Sequence, residues 1–437
     1  MRPSDKLQWS LIFTILILSG CGIWAGSTQD TPGITIFLTG QDLGALKPCG
    51  CSGGQLGGLE RRGALWEAVD PATRLVVNTG HIVPSESEQN LIKYPVFLQA
   101  YQMLGYDLVN LTGQDLQIGT LAGAVEIVEA LGMQPITTQG DEYGMVPSYS
   151  RVFTVDQQSI QVNVIAVDAT YFEHLDTLET PGVTLFILND ANETLLETVM
   201  GQADVQDCVV YPEAMDEPKC LQASGPAGPM VVSIGQRGRY VCQLKLALST
   251  EMKTPQLAFS FSAVSEDLVG NQAVKGLYKD YQQIVATSQL QETFLRVPLS
   301  QGTLAFQGSA SCKACHAEEY RIWNTHQHAH AFATLVKAGS QRDPECTVCH
   351  VVGMEYDVGY LTEADTPHLK DVGCEVCHGP GSEHNRSMGE IRTQGPKMTC
   401  LDCHTPEHSG GYAGHEQEFL EKIKHWKEPK PVRTVKE

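Results

Sequence analysis

The sequence predicts two domains of different class, a layered α/β domain followed by a mainly α domain. Short apolar runs such as GITIFLTG, RLVVNTG and YDLVNLTG alternate with helical patterns in the first part, which indicates an α/β sheet with covered faces. Only His81 and His174, of 14 histidines, precede residue 311, so the composition changes there. We therefore expect a first domain over residues 32–250, a helical connector over 251–306 and a second domain over 307–437.

The N-terminal segment, residues 1–21, has the pattern of an export signal. Arg2 and Lys6 precede the apolar run WSLIFTILILSG, which ends at Cys21. A spanning helix needs about 20 apolar residues, and this run is shorter. A short apolar region followed by small residues is typical of a secretory signal. The tetrapeptide LSGC resembles a bacterial lipobox, which implies cleavage and a lipid anchor on Cys21; an uncleaved membrane anchor is the alternative.

The elements of the first domain follow one another in a regular order. Helices are predicted for LERRGALWEAV, NLIKYPVFLQAYQML and LAGAVEIVEAL, and later strands for VNVIAV, VTLFIL, DCVVY, MVVSIG and RYVCQLKL. In the connector, apolar residues recur at helical spacing within LYKDYQQIVATSQLQETFL: Leu277, Tyr281, Ile284 and Val285. That spacing predicts a helix packed between the two domains.

Four motifs of the first domain occur in a known order: ITIFLTGQDLGAL with GGLERR, then VVNTGH, then GYDLVNLTGQDLQIG, and finally VVSIGQRGRYVCQLKL. This order resembles the 5′-nucleotidase-like metallophosphoesterase family. Members of that family hold two metal ions, which activate water and stabilise phosphoryl oxygens. The resemblance implies the fold of that family for residues 32–250.

The positions of the family's metal ligands carry mostly other residues here: Gln41 and Leu43 for Asp and His, Gly80 and His81 for Gly-Asp, Gly113 and Gln114 for Asn-His. Asp115 is retained. A dinuclear site cannot be built from one carboxylate and amides. We therefore predict a domain without catalytic residues that serves as a scaffold or docking module. Metal-dependent phosphoesterase or 5′-nucleotidase activity stays an alternative.

A glycine-rich loop, PCGCSGGQLGG, carries Cys49 and Cys51. Such a loop either brings backbone N–H groups close to a ligand or forms a tight structural turn. In the second interpretation its thiols pair with Cys208, Cys220 or Cys242 in an oxidising compartment.

Cys-x-x-Cys-His occurs four times in the last third of the chain, as CKACH, CTVCH, CEVCH and CLDCH. Two thiols at this spacing bond to the two vinyl groups of one porphyrin, and the adjacent histidine supplies the proximal nitrogen to iron. Zinc or a disulfide is the alternative for paired cysteines, but neither needs a histidine after every second cysteine. The motifs predict four haem c groups in a haem-packed domain, bound by Cys312, Cys315, Cys346, Cys349, Cys374, Cys377, Cys400 and Cys403, with iron on His316, His350, His378 and His404.

Eight further histidines compete for the distal side of the irons: His326, His328, His330, His368, His384, His408, His415 and His425. A second imidazole closes an iron for electron transfer, whereas an open position admits a small ligand. His326, His328 and His330 follow Trp323 on one predicted helix, where residues two apart do not share a face.

The motifs of this domain resemble the tetrahaem cytochrome c of the cytochrome c-554, or hydroxylamine-oxidation, type. They are CKACHAEEYRIW, HAHAFATL, CTVCHVVGMEYDVGY, VGCEVCHGPGSEH and CLDCHTPEH with FLEKIKHW. The resemblance implies three distal ligands, namely His328, His384 in the glycine-rich loop and His425 in a C-terminal helix. It also implies that the iron on His350 is open.

Charge and motifs together predict a function. The chain has 51 acidic and 30 basic residues, a net charge of −21, which argues against nucleic acid as a partner. We predict an exported bacterial lipoprotein, periplasmic or at the cell surface, that is tethered to the membrane through Cys21. It transfers electrons to redox partner proteins rather than acting as a catalyst. The alternative is a redox enzyme that acts on a small nitrogen compound at the His350 haem.

Overall fold

The structure is a computed structural model that describes residues 33–48, 55–125, 128, 130–139, 144–171, 181–248, 255–299, 304–393, 399–405, 408–409 and 411–425. The predictions for Cys21, Cys49, Cys51 and His174 lie outside these residues. Over the described ranges, no helix has the length and apolar character needed to cross a membrane.

The described residues form two six-stranded sheets from strands β1 (Gly33–Thr39), β2 (Arg74–Asn78), β3 (Leu108–Asn110), β4 (Gln134–Ile136), β5 (Ser148–Val155), β6 (Gln158–Val167), β7 (Val183–Leu188), β8 (Cys208–Val210), β9 (Lys219–Gln222), β10 (Met230–Ser233), β11 (Tyr240–Ala247) and β12 (Gln256–Ala263). The first sheet has the order β12-β11-β1-β2-β3-β4, and the second β5-β6-β7-β8-β10-β9. The pairs from β1 to β4 are parallel, as are β6–β7, β7–β8 and β8–β10, which agrees with the predicted strand–helix alternation.

The helices differ in length between the two parts of the chain. In chain order they are α1 (Glu88–Leu104), α2 (Gly113–Leu121), α3 (Glu193–Gln202), α4 (Gln272–Thr287), α5 (Ser309–Cys312), α6 (Ala317–Trp323), α7 (Ala331–Ala338), α8 (Pro344–His350), α9 (Cys374–His378), α10 (Ser382–Arg386), α11 (Cys400–Cys403) and α12 (Glu416–Ile423). Short 3₁₀ helices span Leu59–Leu65, Gln327–His330 and Pro367–Leu369. The predicted fold class, an α/β domain followed by a mainly α region, is confirmed.

Alternate side chains of the strands build the layers of the first domain. Ile34, Ile36 and Leu38 of β1 belong to the cluster between the two sheets, whereas Phe37 belongs to the cluster with α1. This follows from the two-residue period of a strand. On the outer face of the second sheet, a third cluster includes Leu195 of α3. The order of layers is therefore helix, sheet, sheet, helix.

The first sheet extends beyond the expected boundary at residue 250. Strand β12 (Gln256–Ala263) pairs with β11 along its length, in the stretch expected to be a helical connector. The alternation of Leu257, Phe259 and Phe261 is the sequence signal for this strand. The helix predicted in the connector is present as α4, and it packs on α1 through the cluster that includes Tyr281 and Val285.

Two predicted helices of the first domain have other forms. LERRGALWEAV contains the 3₁₀ helix Leu59–Leu65. The stretch LAGAVEIVEAL, where a helix was expected, begins at the last residue of α2 (Gly113–Leu121), and its residues 122–124 are not helical. Helix α2 itself begins at Gly113 because of a capping box at Thr112, whose side chain accepts from the Asp115 N–H while the Asp115 carboxylate accepts from the Thr112 N–H.

The helix predicted through Trp323, His326, His328 and His330 is not continuous. Helix α6 ends at Trp323, and the 3₁₀ helix Gln327–His330 follows. His326 has φ −93° and ψ 157°, an extended conformation that separates the two helices. Similarly, the C-terminal helix α12 ends at Ile423, so His425 follows the helix instead of lying in it.

Candidate metal centre

Each Cys-x-x-Cys-His motif forms a helical turn. In the second and third motifs the turn is part of α8 and α9. In the first and fourth motifs the histidine N–H donates to the carbonyl of the first cysteine, at 2.9 Å for His316 and 2.8 Å for His404. Residues i, i+3 and i+4 of a helical turn lie on one face. The two thiols and the imidazole of a motif are therefore presented on the same side, as attachment to one porphyrin requires.

Three histidines that belong to motifs each face a histidine that does not. The distances between ring centroids are 6.0 Å for His316 and His384, 6.1 Å for His328 and His404, and 6.0 Å for His378 and His425. A metal–imidazole bond is about 2.0 Å long and the bonded nitrogen lies about 1.1 Å from the ring centroid, so two imidazoles on opposite sides of one metal have centroids about 6 Å apart. The three pairs fit the axial positions of three irons.

Hydrogen bonds at Nδ1 fix the tautomer of several of these rings. A carbonyl only accepts, so an Nδ1 atom bonded to one carries the proton and Nε2 is the basic nitrogen that binds a metal. Such bonds join His350 to Ala331 O at 2.7 Å, His384 to Ile391 O at 2.7 Å and His425 to Ile423 O at 2.9 Å.

His328 and His330 differ in how well they are suited to bind a metal. Burial, reinforced by the neighbouring His404, lowers the pKa of His328 to about 4, so the ring is neutral at neutral pH, the form that binds metals. His330 is exposed and its Nε2 atom lies 3.1 Å from the Asn324 carbonyl, to which it donates. Of the two, only His328 has its ring turned toward a histidine of a motif.

The cysteines of different motifs lie next to one another. The Cys312 thiol lies close to the Cys374 thiol, and the Cys403 thiol lies close to the Cys349 thiol. Cys377 lies close to Cys400. These neighbouring thiols place the first motif near the third, the third near the fourth, and the fourth near the second.

Glu375, inside the third motif, is a buried carboxylate that organises its surroundings. It accepts hydrogen bonds from the backbone N–H groups of Gln307 at 2.9 Å, Gly308 at 2.7 Å and Gly381 at 2.7 Å. Burial raises the pKa of this carboxyl, and the three N–H groups oppose that shift. Glu375 thus joins the chain before α5 to the N-terminal end of α10, the helix in which the structure places His384. Sequence reasoning missed this residue, since one glutamate inside a haem motif has no distinguishing pattern.

A cavity of about 250 Å³ lies along α7. Its wall is apolar and its rim is charged, and it is lined by Ala329, His330, Phe332, Ala333, Val336, Glu363, Lys370 and Asp371. The same helix supplies, at Ala331, the carbonyl that accepts from His350. The cavity and the second motif therefore share α7 as a neighbour.

In the first domain, the ends of β1 and β2 are tied together by backbone hydrogen bonds. Gln41 N–H donates to Gly80 O at 2.8 Å, and Leu43 N–H donates to His81 O at 3.1 Å. Gln41, Leu43 and His81 all have left-handed backbone conformations, with φ of 46°, 49° and 58°. His81 Nε2 lies 3.0 Å from the Asn189 carbonyl.

Asp115 is buried and holds this turn. Its carboxylate accepts from His81 N–H at 2.8 Å and from Ile82 N–H at 2.9 Å, besides capping α2 at Thr112. The neighbouring Gln114 donates to Pro84 O at 3.0 Å. The carboxylate retained from the family pattern therefore stabilises local backbone structure.

A buried ion pair that sequence reasoning missed lies beside this turn. Asp42 and Arg62 are both fully buried and hydrogen-bonded to each other. Asp42 also accepts from Tyr101 OH at 2.5 Å and from Asn78 Nδ2 at 3.2 Å. Burial alone would lower the pKa of Arg62, but the Asp42 carboxylate outweighs it and raises the pKa above its ordinary value. A guanidinium thus neutralises this carboxylate.

Within the part of the chain that the structure describes, no three His, Cys, Asp or Glu side chains converge so as to hold a metal ion. A haem iron needs at most two protein ligands, because the porphyrin supplies the others. The histidine pairs are therefore suited to haem iron.

The remaining cysteines divide into two kinds. Cys208 and Cys242 are buried free thiols, whereas Cys220 is disulfide-bonded. The suggestion that Cys208 or Cys242 pairs with the glycine-rich loop is therefore wrong, because both belong to the apolar cluster between the sheets. Burial raises the pKa of both thiols above the usual value.

Residues 311–379 match the model of the family Cytochrome c554 and c-prime. Cytochrome c-554 of Nitrosomonas europaea is a curated relative, 32% identical over 22% of this chain and 49% of its own length. The chain thus spans about half the length of that relative. The matched region of the second domain is thus similar to c-type cytochromes of this family. More particularly, the predicted resemblance of this region to the cytochrome c554 family is confirmed by these matches.

Solved structures match both parts of the chain. The reduced state of cytochrome c554 from Nitrosomonas europaea is 24% identical and covers 29% of this chain and 92% of its own, with a TM-score of 0.23. The calcineurin-like phosphoesterase YfkN of Bacillus subtilis is 14% identical, with a TM-score of 0.41. The match covers 58% of this chain and 97% of that protein. A 5′-nucleotidase precursor of Thermus thermophilus is 12% identical, with a TM-score of 0.44. The match covers 70% of this chain and 68% of that protein.

Proposed function

We propose that this protein is an exported electron-transfer protein whose second domain binds four haem c groups. The observation that carries the proposal is the set of three histidine pairs, with centroids 6.0 to 6.1 Å apart, each joining a motif histidine to one outside the motifs. When bound, haem iron supplies a one-electron couple. Two imidazoles on one iron favour electron transfer, since they leave the metal closed to other ligands.

The pairs support a particular assignment of the axial ligands. His384 serves the first motif at His316, His425 serves the third at His378, and His328 serves the fourth at His404. The Nδ1 bonds of His384 and His425 support this assignment, because metal-binding histidines usually donate their other N–H to a carbonyl or carboxylate.

The neighbouring cysteines favour a relay over four isolated centres. They link the motifs in the order first, third, fourth, second. Attachment points that lie close together would hold neighbouring cofactors close, as transfer between them requires.

Export to an oxidising compartment and anchoring through a lipid on Cys21 complete the proposal. The disulfide at Cys220 supports such a compartment, because cytosolic thiols are kept reduced. Redox proteins are the expected partners, and the net charge of −21 disfavours nucleic acid.

For the first domain we propose a scaffold role without catalysis. The support is the use of two buried carboxylates near the substituted ligand positions: Asp115 holds a backbone turn and Asp42 is neutralised by Arg62. Neither carboxylate can bind a metal ion without losing these hydrogen-bond and ion-pair partners.

The haem count is tested by a pyridine haemochrome assay on the full-length protein, which should return four haems per chain. Absence of covalent haem would overturn the proposal. The ligands are tested by EPR: His384→Ala should convert one low-spin iron to high spin, whereas His330→Ala, the matched control, should leave the spectrum unchanged. A wild-type high-spin signal that shifts with nitric oxide or cyanide would favour the alternative, a redox enzyme at the His350 haem.

A further inference from the structure

The N-terminus of α8, the helix of the second motif, rests on α1 and α4. Asp343 caps α8 by accepting from Glu345 N–H at 3.0 Å. The same carboxylate accepts from Gln89 Nε2 of α1 at 2.7 Å and lies 3.4 Å from the hydroxyl of Tyr281 of α4. Gln89 Nε2 also donates to Tyr281 OH at 2.8 Å. The cap of this helix is therefore built with side chains from outside the second domain.

Lys93 makes a second contact, one turn further along α1. Its Nζ lies 2.7 Å and 2.6 Å from the two carboxylate oxygens of Glu345, the residue that directly precedes Cys346. Lys93 is 5% exposed, whereas the Glu345 side chain is 53% exposed. Gln89 and Lys93 are four residues apart and thus share one face of α1. This face holds a positive charge beside the attachment cysteine.

The loop before α8 is anchored in the same way. Gln282 Nε2 of α4 donates to Ala338 O and to Ser340 Oγ, both at 2.8 Å. Gln291 Nε2, just beyond α4, donates to Thr347 Oγ1 at 3.0 Å within α8. The chain is therefore hydrogen-bonded to Gln282 before α8 and to Gln291 within α8. The third motif differs, because the N–H groups bonded to Glu375 belong to the second domain itself.

We propose that Lys93 and Gln89 are positioning residues for the haem attached at Cys346 and Cys349, and that Lys93 raises the reduction potential of this one centre. The inference rests on the proposed haem attachment. Reduction adds negative charge at the iron, and a nearby cation stabilises it. Removing Lys93 leaves the Glu345 carboxylate uncompensated next to Cys346, which favours the oxidised form.

The test is a spectroelectrochemical titration of the full-length holoprotein carrying Lys93→Met. One of the four midpoint potentials should become more negative by about 59 mV. For a one-electron couple, that shift is a tenfold change in the ratio of oxidised to reduced haem at a fixed solution potential. The other three should stay in place. Lys93→Arg keeps the charge and should retain the wild-type midpoint.

Lys47→Met is the matched control. It removes a lysine of the same domain whose Nζ lies 4.4 Å from the ring centroid of Tyr278, also on α4. All four midpoints should be unchanged in this variant. Loss of one haem from Lys93→Met but not from Lys93→Arg would also support the positioning role. Should Lys93→Met fail to fold, Lys93→Gln provides the same comparison.

Two results would overturn the inference. One is a Lys93→Met protein with four haems and four unchanged midpoints. The other is an equal shift of all four midpoints in Lys93→Met and Lys47→Met, which would mean a general effect of net charge. Fewer than four haems in the wild-type protein would instead count against the proposed function, so the two failures are distinguishable by the haem count.

Discussion

The two domains bury their side chains in different ways. In the first domain, three clusters fill the spaces between helices and sheets, and they include large residues such as Trp66, Tyr94 and Phe97. The cluster described in the second domain is smaller: Phe306, Phe332, Val351, Val352, Met354, Tyr360 and Leu369. The described helices there have eight residues or fewer, and isolated helices below about 12 residues are marginal in water.

This difference shows what each part needs in order to fold. The apolar strands of the first domain cover one another, so its sequence contains its own core. The second domain has cysteines and histidines where the first domain has valine and leucine. We expect the covalently attached haem groups to supply the apolar area that its side chains lack. Binding of a cofactor to the folded state alone stabilises that state. The predictions below separate the two sources of stability.

The largest effect is expected when a haem motif of the second domain is removed. Cys374→Ser with Cys377→Ser should reduce the proposed haem count from four to three and destabilise the second domain strongly, since the proposed attachment would hold the five residues of α9. A haemochrome assay and calorimetry measure the two effects. Cys208→Ala, at a free thiol of the first domain, should leave four haems. An unchanged haem count in the double variant would contradict the comparison.

In the first domain, the corresponding large effect should come from the buried ion pair. Arg62→Met leaves the Asp42 carboxylate buried and uncompensated, which should lower the free energy of unfolding by about 3–5 kcal/mol. Urea denaturation followed by far-UV circular dichroism measures the loss, and the haem count should stay at four.

The adjacent Arg61 offers a matched control. Its Nη1 donates to Gly57 O at 3.0 Å and its side chain is only partly buried. Arg61→Met should change stability by about 0.5 kcal/mol. Equal losses of unfolding free energy in Arg62→Met and Arg61→Met would mean that the buried ion pair contributes no more to stability than the partly buried Arg61 does.

The sequence predicted most of what depends on local spacing. A Cys-x-x-Cys-His turn is complete within five residues, so its geometry follows from the motif alone, as His404 N–H bonding to Cys400 O illustrates. Many of the strands were also recognised, because buried strands are continuous apolar runs.

What the sequence could not supply depends on distant partners. Asp42 stood between the two substituted ligand positions, Gln41 and Leu43, and nothing local showed that Arg62 would neutralise it. The break after Trp323 was missed because the helical pattern continues through it, although His326 adopts an extended conformation. The assignment of His384, His328 and His425 to particular irons stays a prediction.

A medium effect is expected at Glu375, which in the second domain performs the backbone role that Asp115 has in the first. Glu375→Gln removes the charge that accepts from Gln307, Gly308 and Gly381, and should cost about 1.5–3 kcal/mol. It should also perturb the EPR signal of the proposed His316 and His384 iron, because the N-terminal end of α10, which carries His384, is released. Thermal unfolding measures the stability change.

Glu318→Gln is the control for that substitution. Glu318 is exposed and pairs with Arg321 at 2.9 Å, and such surface pairs contribute at most about 1 kcal/mol. A loss at Glu375 no greater than at Glu318 would show that the carboxylate does not organise the second domain.

The smallest effect is a pH dependence that belongs to the first domain. Burial raises the pKa of Asp207 from 3.8 to about 6, although its carboxylate accepts from Thr184 N–H at 2.7 Å and Asp204 N–H at 2.8 Å. Between about pH 4 and pH 6 the folded state therefore holds a proton that the unfolded state releases. Its contribution to stability is present below about pH 4 and is lost as the pH rises through about 6, with a slope of at most about 1.4 kcal/mol per pH unit.

Asp207→Asn should remove this slope from the free energy of unfolding, measured by urea denaturation at closely spaced pH values. The same substitution at the exposed Asp280 is the matched control. The haem spectrum should not change in either variant, because Asp207 directly precedes β8 and bonds to Thr184 of β7, both in the first domain. A slope that persists in Asp207→Asn would assign the pH dependence to other groups. A haem spectrum that changed with it would mean that the two domains do not respond to pH independently.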